Sequence, residues 1–153
     1  MEYRAARRDE EVAKLRRAVA LRAMVASGLS QRQIAEALGI TQPAVSQQLK
    51  YAPNLHGVHP RDLLEAATPV LKALAMERGF ADLAVFGSVA RGQARPDSDI
   101  DLIVRAPAGT SSFGFVAFKM LLEQALGREI DLVEYGGLTP ELDDDILREA
   151  VPL

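Results

Sequence analysis

Three short apolar runs constrain the fold of this chain more than any other feature: LAVF at 83–86, DIDLIV at 99–104 and EIDLV at 129–133. Each has the length and the aliphatic composition of a β-strand and lies next to glycine or charged residues that favour turns. The two later runs alternate acidic and apolar residues, which is typical of strands with one buried face. Helical patterns flank the runs, so residues 64–153 predict an α+β domain with a small mixed sheet flanked by helices.

Hydrophobic periodicity predicts the helices of the chain. Three of them precede a segment with prolines and histidines, residues 53–63, which is interpreted as a linker. His56 and His59 in this segment are expected to be exposed to solvent. Pro69 is expected to kink or divide the following helix near Thr68, because proline removes a backbone donor. The predicted helices span 9–27, 30–38, 41–50, 61–78, 112–126 and 140–150.

Carboxylates cluster in the strand runs. Asp99 and Asp101 are two residues apart, so their side chains share one face of a strand and lie roughly 6.7 Å apart along it. Neighbouring carboxylates repel and raise each other's pKa, a cost that a divalent cation removes. Ligands that are all oxygen favour Mg²⁺ or Mn²⁺ over zinc. Asp131 is the predicted third ligand, whereas Glu129 starts its run and Glu134 lies on the opposite face.

A glycine and a serine directly follow the first strand run. Gly87 lets backbone come close to a ligand, and the residues SVARG after it can open a short helix whose free N–H groups face an anion. Ser88 adds a hydroxyl and Arg91 a positive charge. A phosphate cradle facing metal-binding carboxylates suits phosphoryl or nucleotidyl transfer from a nucleoside triphosphate. In a second interpretation, Arg91 and Arg95 only offset the carboxylate charge, and Asp97 is a turn residue.

The region before the linker has the pattern of a helix-turn-helix. Ser30 and Thr41 are suited to cap two successive helices, and Gly39 to a turn with positive φ between them. Ala35 permits close packing of the helices, and Leu38 is expected to face inward. The alternative is an ordinary three-helix bundle used for dimerisation. The side chains that can read base edges or contact phosphates are Thr41, Gln42, Ser46, Gln47 and Lys50.

Charge divides the chain at about the same place. Residues 1–60 carry nine Lys or Arg against five Asp or Glu, whereas residues 61–153 carry nine against sixteen, within a net charge of −3. The basic excess fits a first region that faces nucleic acid. The absence of cysteine excludes disulfides and thiolate metal sites. No signal-peptide pattern and no membrane-length apolar run is seen, so a cytoplasmic protein is expected.

The stretch GSVARGQARPDSDIDLIV resembles a known family. Gly87-Ser88, ten residues and then Asp99-Ile100-Asp101 match the G-S-x10-D-x-D signature of the polymerase-β-like nucleotidyltransferases. With EIDLV and the C-terminal ILREAVPL, residues 64–153 closely resemble the minimal nucleotidyltransferases. A bare D-x-D is common by chance, whereas the full spacing after a strand, joined by a third carboxylate, is specific. The helix-turn-helix departs from the family pattern as an addition to the minimal domain.

The resemblance implies roles for these residues. Asp99 and Asp101 would ligate two Mg²⁺ ions, and Asp131 would ligate one and help to deprotonate the attacking hydroxyl. The Gly-Ser pair would hold the β- and γ-phosphates of ATP. The family also implies a partner, a HEPN-type ribonuclease toxin whose tyrosine receives AMP, with this chain as the antitoxin. By analogy, a helix-turn-helix domain over 1–52 would bind operator DNA and autoregulate the operon, as a homodimer or as a hetero-oligomer with the toxin.

Two other functions are left open by the sequence. One is AMP transfer to a small molecule such as an aminoglycoside, although little of the chain remains to build an acceptor pocket. The other is a non-catalytic transcription regulator whose second domain senses a nucleotide or neutralises a partner by binding.

Overall fold

The computed structural model describes residues 1–153 as seven helices and one four-stranded sheet. Two single turns of 3-10 helix, Leu55–Gly57 and Tyr135–Gly137, lie between these elements. None of the helices combines the length and the apolar character that crossing a membrane requires. In chain order the elements are α1 (Glu2–Ala26), α2 (Gln31–Leu38), α3 (Gln42–Lys50), α4 (Pro60–Glu77), β1 (Ala81–Phe86), α5 (Gly87–Ala90), β2 (Ile100–Arg105), α6 (Ser112–Leu126), β3 (Ile130–Glu134), α7 (Asp144–Glu149) and β4 (Val151–Pro152).

The sheet is mixed, as the sequence predicts, and has the strand order β3-β2-β1-β4. β1 is antiparallel to β2 and to β4, whereas β2 and β3 are parallel and joined through α6. The register pairs Phe86 with Asp101 and Asp101 with Asp131. The end of β1 and the beginnings of β2 and β3 therefore meet at one edge of the sheet.

A hydrophobic core of 22 buried residues packs α1, α4 and α6 against the sheet. Leu71 of α4, Leu122 of α6 and Leu102 of β2 are fully buried in it. Fully burying one such side chain contributes about 1.5–3 kcal/mol. Val19 and Ala23 of α1 also belong to this core, so the first helix packs on the domain that contains the sheet.

A separate cluster of only four buried residues holds α2 and α3 together, and Leu21 of α1 is one of them. Its other members are Ile34, Ala35 and Val45. Leu38 is 47% exposed, so the expectation that it faces inward is wrong. The partly buried residues that pack against the cluster are Met24, Ile40 and Leu49.

The ends of α2 and α3 follow the predicted capping pattern. The Ser30 hydroxyl accepts from the Gln33 N–H at 3.1 Å, and the Gln33 side chain accepts from the Ser30 N–H at 2.8 Å. Gly39 closes α2 with φ +67°. The Thr41 hydroxyl accepts from the Ala44 N–H at 3.2 Å and begins α3. Such caps stabilise a helix by about 1 kcal/mol each.

Pro69 does not divide α4, which continues through it from Pro60 to Glu77. Residues on both sides of the proline, including Ala67 and Leu71, are buried in the same core and hold the helix together. Pro69 itself is exposed, so water can bond the carbonyl that loses its donor.

The C-terminal end of the chain also differs from the prediction. α7 is limited to Asp144–Glu149, and the chain ends in a short strand, β4, in place of a helix over 140–150. Val151 pairs with Val85 of β1 at the edge of the sheet. Pro152 is tolerated there because an edge strand leaves one side of its backbone unpaired.

Candidate active site

Gly87 forms the turn at the end of β1. It is buried and has φ +70°, in the left-handed region that favours glycine. A Cβ at this position would collide with the Asp101 carboxylate on the neighbouring strand. The predicted short helix follows as α5. Glycine is therefore required both by the backbone conformation and by the space that the Asp101 side chain occupies.

Asp101 and Asp131 are paired in register across the parallel strands β2 and β3, with their carboxyl groups close enough to interact. Burial raises the pKa of Asp101 to about 6, and the adjacent Asp131 carboxyl and the charge of Asp99 add to the rise. The nearby Arg91 acts in the opposite direction and lowers this pKa. The edge of the sheet therefore concentrates negative charge, as the sequence predicts.

The chemistry of these side chains fits a divalent cation. Their donor atoms are all oxygen, which suits Mg²⁺ or Mn²⁺, and a cation would offset the repulsion that raises the pKa of Asp101. No group of three or more His, Asp or Glu side chains is arranged to hold a metal ion. The structure brings Asp101 and Asp131 together, with Asp99 exposed two positions before Asp101, at the end of the loop that precedes β2. A metal site made of all three carboxylates stays a prediction.

Arg91 and Gly87 both contact a residue that the sequence analysis did not single out, Glu149 of α7. The Arg91 Nη1 donates to Glu149 Oε1 at 2.9 Å, and the Gly87 N–H donates to Glu149 Oε2 at 3.2 Å. One carboxylate thus contacts two of the three residues that were predicted to hold phosphate, so these two donors converge on an anion. Gly87 and Glu149 are 62 residues apart, and only the family-like ILREAVPL stretch marked this region. Ser88 is half-buried beside them in α5.

The histidines of segment 53–63 differ from each other. His56 is exposed, as expected, but His59 is half-buried, and its Nε2 lies 3.1 Å from the Ala94 carbonyl oxygen. The expectation for His59 is therefore wrong, because the start of α4 lies against the loop that precedes β2. Leu55 in the same segment is buried in the main core.

The residues predicted to contact DNA are all exposed on and beside α3. Val45, on the opposite side of α3, is buried against α2. The Lys50 ammonium lies 5.4 Å from the centre of the Tyr51 ring. The five residues are Thr41, Gln42, Ser46, Gln47 and Lys50.

The sheet, the glycine turn and the carboxylate pair together define a nucleotide-transferring enzyme. Residues 70–153 match the family model described as "Nucleotidyltransferase domain", so the chain belongs to this family and is a nucleotidyltransferase. The predicted class of enzyme is confirmed.

Individual relatives agree with this assignment. The "Putative protein adenylyltransferase MJ0435" of Methanocaldococcus jannaschii is 40% identical over 76 residues, which are 50% of this chain and 82% of that protein. The "Protein adenylyltransferase MntA" of Thermococcus cleftensis is 36% identical over 80 residues, 52% of this chain and 81% of that protein. A solved chain, "Structure of putative minimal nucleotidyltransferase", is 41% identical with a TM-score of 0.55, and the match covers 61% of this chain and 95% of that one. The predicted resemblance to minimal nucleotidyltransferases is confirmed for this part of the chain.

Proposed function

We propose that this nucleotidyltransferase moves AMP from ATP to a hydroxyl group of a partner protein. The adjacent carboxyl groups of Asp101 and Asp131 beside the Gly87 turn carry the proposal, together with relatives named as protein adenylyltransferases. The acceptor oxygen attacks the α-phosphorus of ATP, the bond from that phosphorus to the β-phosphate oxygen breaks, and pyrophosphate leaves. Asp131, the more exposed member of the pair, takes the proton of the acceptor hydroxyl.

The carboxylates Asp99, Asp101 and Asp131 would hold two Mg²⁺ ions. Bound Mg²⁺ would offset the negative charge of the triphosphate and of the leaving pyrophosphate. The carboxylates keep this role only when ionised, so the raised pKa of Asp101 makes the site dependent on pH.

The phosphates of ATP would lie against Gly87, Ser88 and Arg91. The Gly87 N–H and the Arg91 guanidinium already bind an anionic group, the Glu149 carboxylate. Phosphate oxygens would take the place of this carboxylate, since charge-assisted bonds to phosphate use the same donors.

The acceptor we propose is a HEPN-type ribonuclease toxin, modified on a tyrosine, with this chain as its antitoxin. A macromolecular acceptor brings its own surface to the site. That favours a protein over an aminoglycoside-like small molecule, because this chain of 153 residues has little material for an acceptor pocket.

For α2 and α3 we propose binding to operator DNA, which would let the antitoxin regulate its own operon. The exposure of the five predicted contact residues and the basic excess of residues 1–60 support this.

Intact-mass measurement tests the catalytic proposal. The purified chain is mixed with the product of its neighbouring gene, ATP and Mg²⁺, and the partner is expected to gain the mass of AMP. The control is the double variant Asp99→Ala with Asp101→Ala, which should leave the mass unchanged. An unmodified partner that still binds the wild-type chain, or a chain that only binds promoter DNA, would favour the non-catalytic regulator.

Fluorescence anisotropy with a labelled promoter duplex tests the DNA proposal. Gln47→Ala is expected to weaken specific binding by about 1–3 kcal/mol. Lys50→Ala is expected to reduce the slope of log affinity against log salt concentration by about 1, the value for one phosphate contact. Lys119→Ala on α6 is a matched lysine control and should bind as the wild type. Absence of binding by the wild-type chain would favour the three-helix bundle without a DNA role.

A further inference from the structure

The loop that carries Asp99 has few anchors of its own. Residues 91–99 connect α5 to β2 without a helix or strand. Within the loop, the Arg95 N–H donates to the Ser98 hydroxyl at 2.7 Å and the Ser98 N–H donates to the Arg95 carbonyl at 2.9 Å. These bonds close a local turn but do not attach it to the rest of the domain.

Glu149 holds Arg91 at the start of the loop, and two further side chains attach residues 94–98 to the domain. Arg128, in the turn between α6 and β3, donates from Nη2 to the Ser98 carbonyl at 3.0 Å and from Nη1 to the Val58 carbonyl at 2.9 Å. The His59 Nε2 lies 3.1 Å from the Ala94 carbonyl. The segment before α4, Arg128 and the loop are therefore joined by one set of hydrogen bonds.

The bond from Arg128 acts directly on the backbone of Asp99. The Ser98 carbonyl belongs to the planar peptide unit that enters Asp99, so holding its oxygen fixes the orientation of that unit. The next residue, Ile100, is fully buried in the core. Asp99 thus has a fixed backbone on both sides, although its own side chain is exposed and makes no hydrogen bond within the chain.

We propose that Arg128 is a positioning residue for Asp99: it holds the entering peptide so that the exposed carboxylate points to the Asp101–Asp131 pair. This rests on the metal-binding role proposed above for the three carboxylates. The planar fork of arginine reaches two carbonyls at once, whereas lysine presents a single ammonium group. We therefore expect Arg128→Lys to preserve only part of the effect.

The test uses Mn²⁺ alone as the probe, with the full chain and electron paramagnetic resonance to count free Mn²⁺. Arg128→Ala is expected to raise the Kd for Mn²⁺ about tenfold, as removal of groups that orient metal ligands does elsewhere, with a smaller rise for Arg128→Lys. The matched control is Arg22→Ala, because Arg22 also donates to a carbonyl near the end of α6, that of Gln124, at 3.0 Å, but does not touch the loop. This control should keep the wild-type Kd.

Amide hydrogen exchange of the metal-free proteins is the second measurement. Arg128→Ala should speed exchange at residues 94–100 and leave α4 and α6 protected. Wild-type Mn²⁺ affinity in a folded Arg128→Ala variant would overturn the positioning role. If Arg128→Ala unfolds, the test uses Arg128→Lys instead. Wild-type Mn²⁺ affinity in Arg128→Lys, together with faster amide exchange in the loop, would overturn the proposal. A wild-type chain that binds no Mn²⁺ would instead refute the metal role of the carboxylates itself, and faster exchange in the loop would then assign Arg128 to structure alone.

Discussion

The pair α2 and α3 is stabilised mainly by contacts between residues close together in the chain, whereas the region around the sheet depends on contacts between distant residues. α2 and α3 are held by a cluster of four buried residues, one of them from α1, and their caps are formed by residues three positions apart. The core around the sheet contains 22 buried residues, three of them from α1, and the site on this sheet joins Gly87 to Glu149, 62 residues away. The first region is thus held by local bonds around a small core, and we expect it to open by itself. The second depends on distant residues, so a single change at the site affects several strands.

The largest effect should come from Asp101→Asn, which keeps the shape of the side chain but removes its charge. We expect the rate of AMP transfer to fall by about 10³-fold or more, because the carboxylate can no longer hold a cation. The initial rate of transfer to the partner protein measures this. DNA affinity of the same variant should be unchanged, and an equal loss of both would show that the two regions are not independent.

Gly87→Ala should damage the site through distance rather than charge. The new Cβ would displace Asp101, and we expect about 10²-fold slower AMP transfer. The free energy of unfolding should fall by about 2–4 kcal/mol, from a strained φ and overpacking together. Gly109→Ala is the matched control: Gly109 has φ +82° and no atom within 4 Å of its Cβ position. It should lose only about 1 kcal/mol and no activity, and equal losses in both variants would contradict a steric role for Asp101.

Ile34→Ala tests whether the small region opens by itself. It removes a fully buried side chain from the four-residue cluster and should cost about 2–4 kcal/mol. We expect amide exchange to rise over residues 30–50 while AMP transfer continues, because the larger core holds the sheet. Leu71→Ala, a comparable truncation in that larger core, should speed exchange throughout the sheet. Parallel loss of activity in Ile34→Ala would indicate one cooperative unit.

The smallest effect concerns the stability of the metal-free protein. The pKa of Asp101 is about 6 in the folded chain and therefore above its usual value near 4 when unfolded. The folded state holds the proton more tightly, so the contribution of Asp101 to the free energy of unfolding is fully present below pH 4 and is lost as pH rises through 6. Asp101→Asn should remove this loss. Relative to the wild type, its free energy of unfolding should be higher by about 1 kcal/mol at pH 8 and unchanged at pH 4. The gain is small because solvent screens a partly exposed carboxylate. Urea unfolding in EDTA at both pH values measures it, and an equal difference at the two would refute the assignment to Asp101.

Local signals predicted most elements of the fold. Ser30, Gly39 and Thr41 end or begin helices at the expected positions, and Gly127 ends α6 with a left-handed backbone. Each of these contacts involves residues within one turn of each other, so neighbours in the chain suffice to predict them. Leu38 differs from the prediction because periodicity identifies the apolar face of a helix but not how much of that face neighbouring elements cover.

The candidate site was predicted only in part. Alternation in DIDLIV and EIDLV predicted that Asp101 and Asp131 leave the core, but their contact depends on the parallel register of β2 and β3. No spacing indicates that Glu149 reaches Gly87, or that Arg128 reaches the loop before Asp99. These contacts require the whole sheet, because residues far apart in the chain meet only after the core has formed.

Residue types and short spacings were enough to predict the enzyme class of this protein, most of its strands and helices, and the candidate residues for phosphate and cation binding. Those properties depend on residue types and short spacings, which can be read directly from the sequence. Tertiary structure alone decided the terminal strand, the partner of Arg91, the raised pKa of Asp101 and the anchoring of the Asp99 loop. Each of these arises from burial and from contacts between distant segments, and only the packed core brings those segments together.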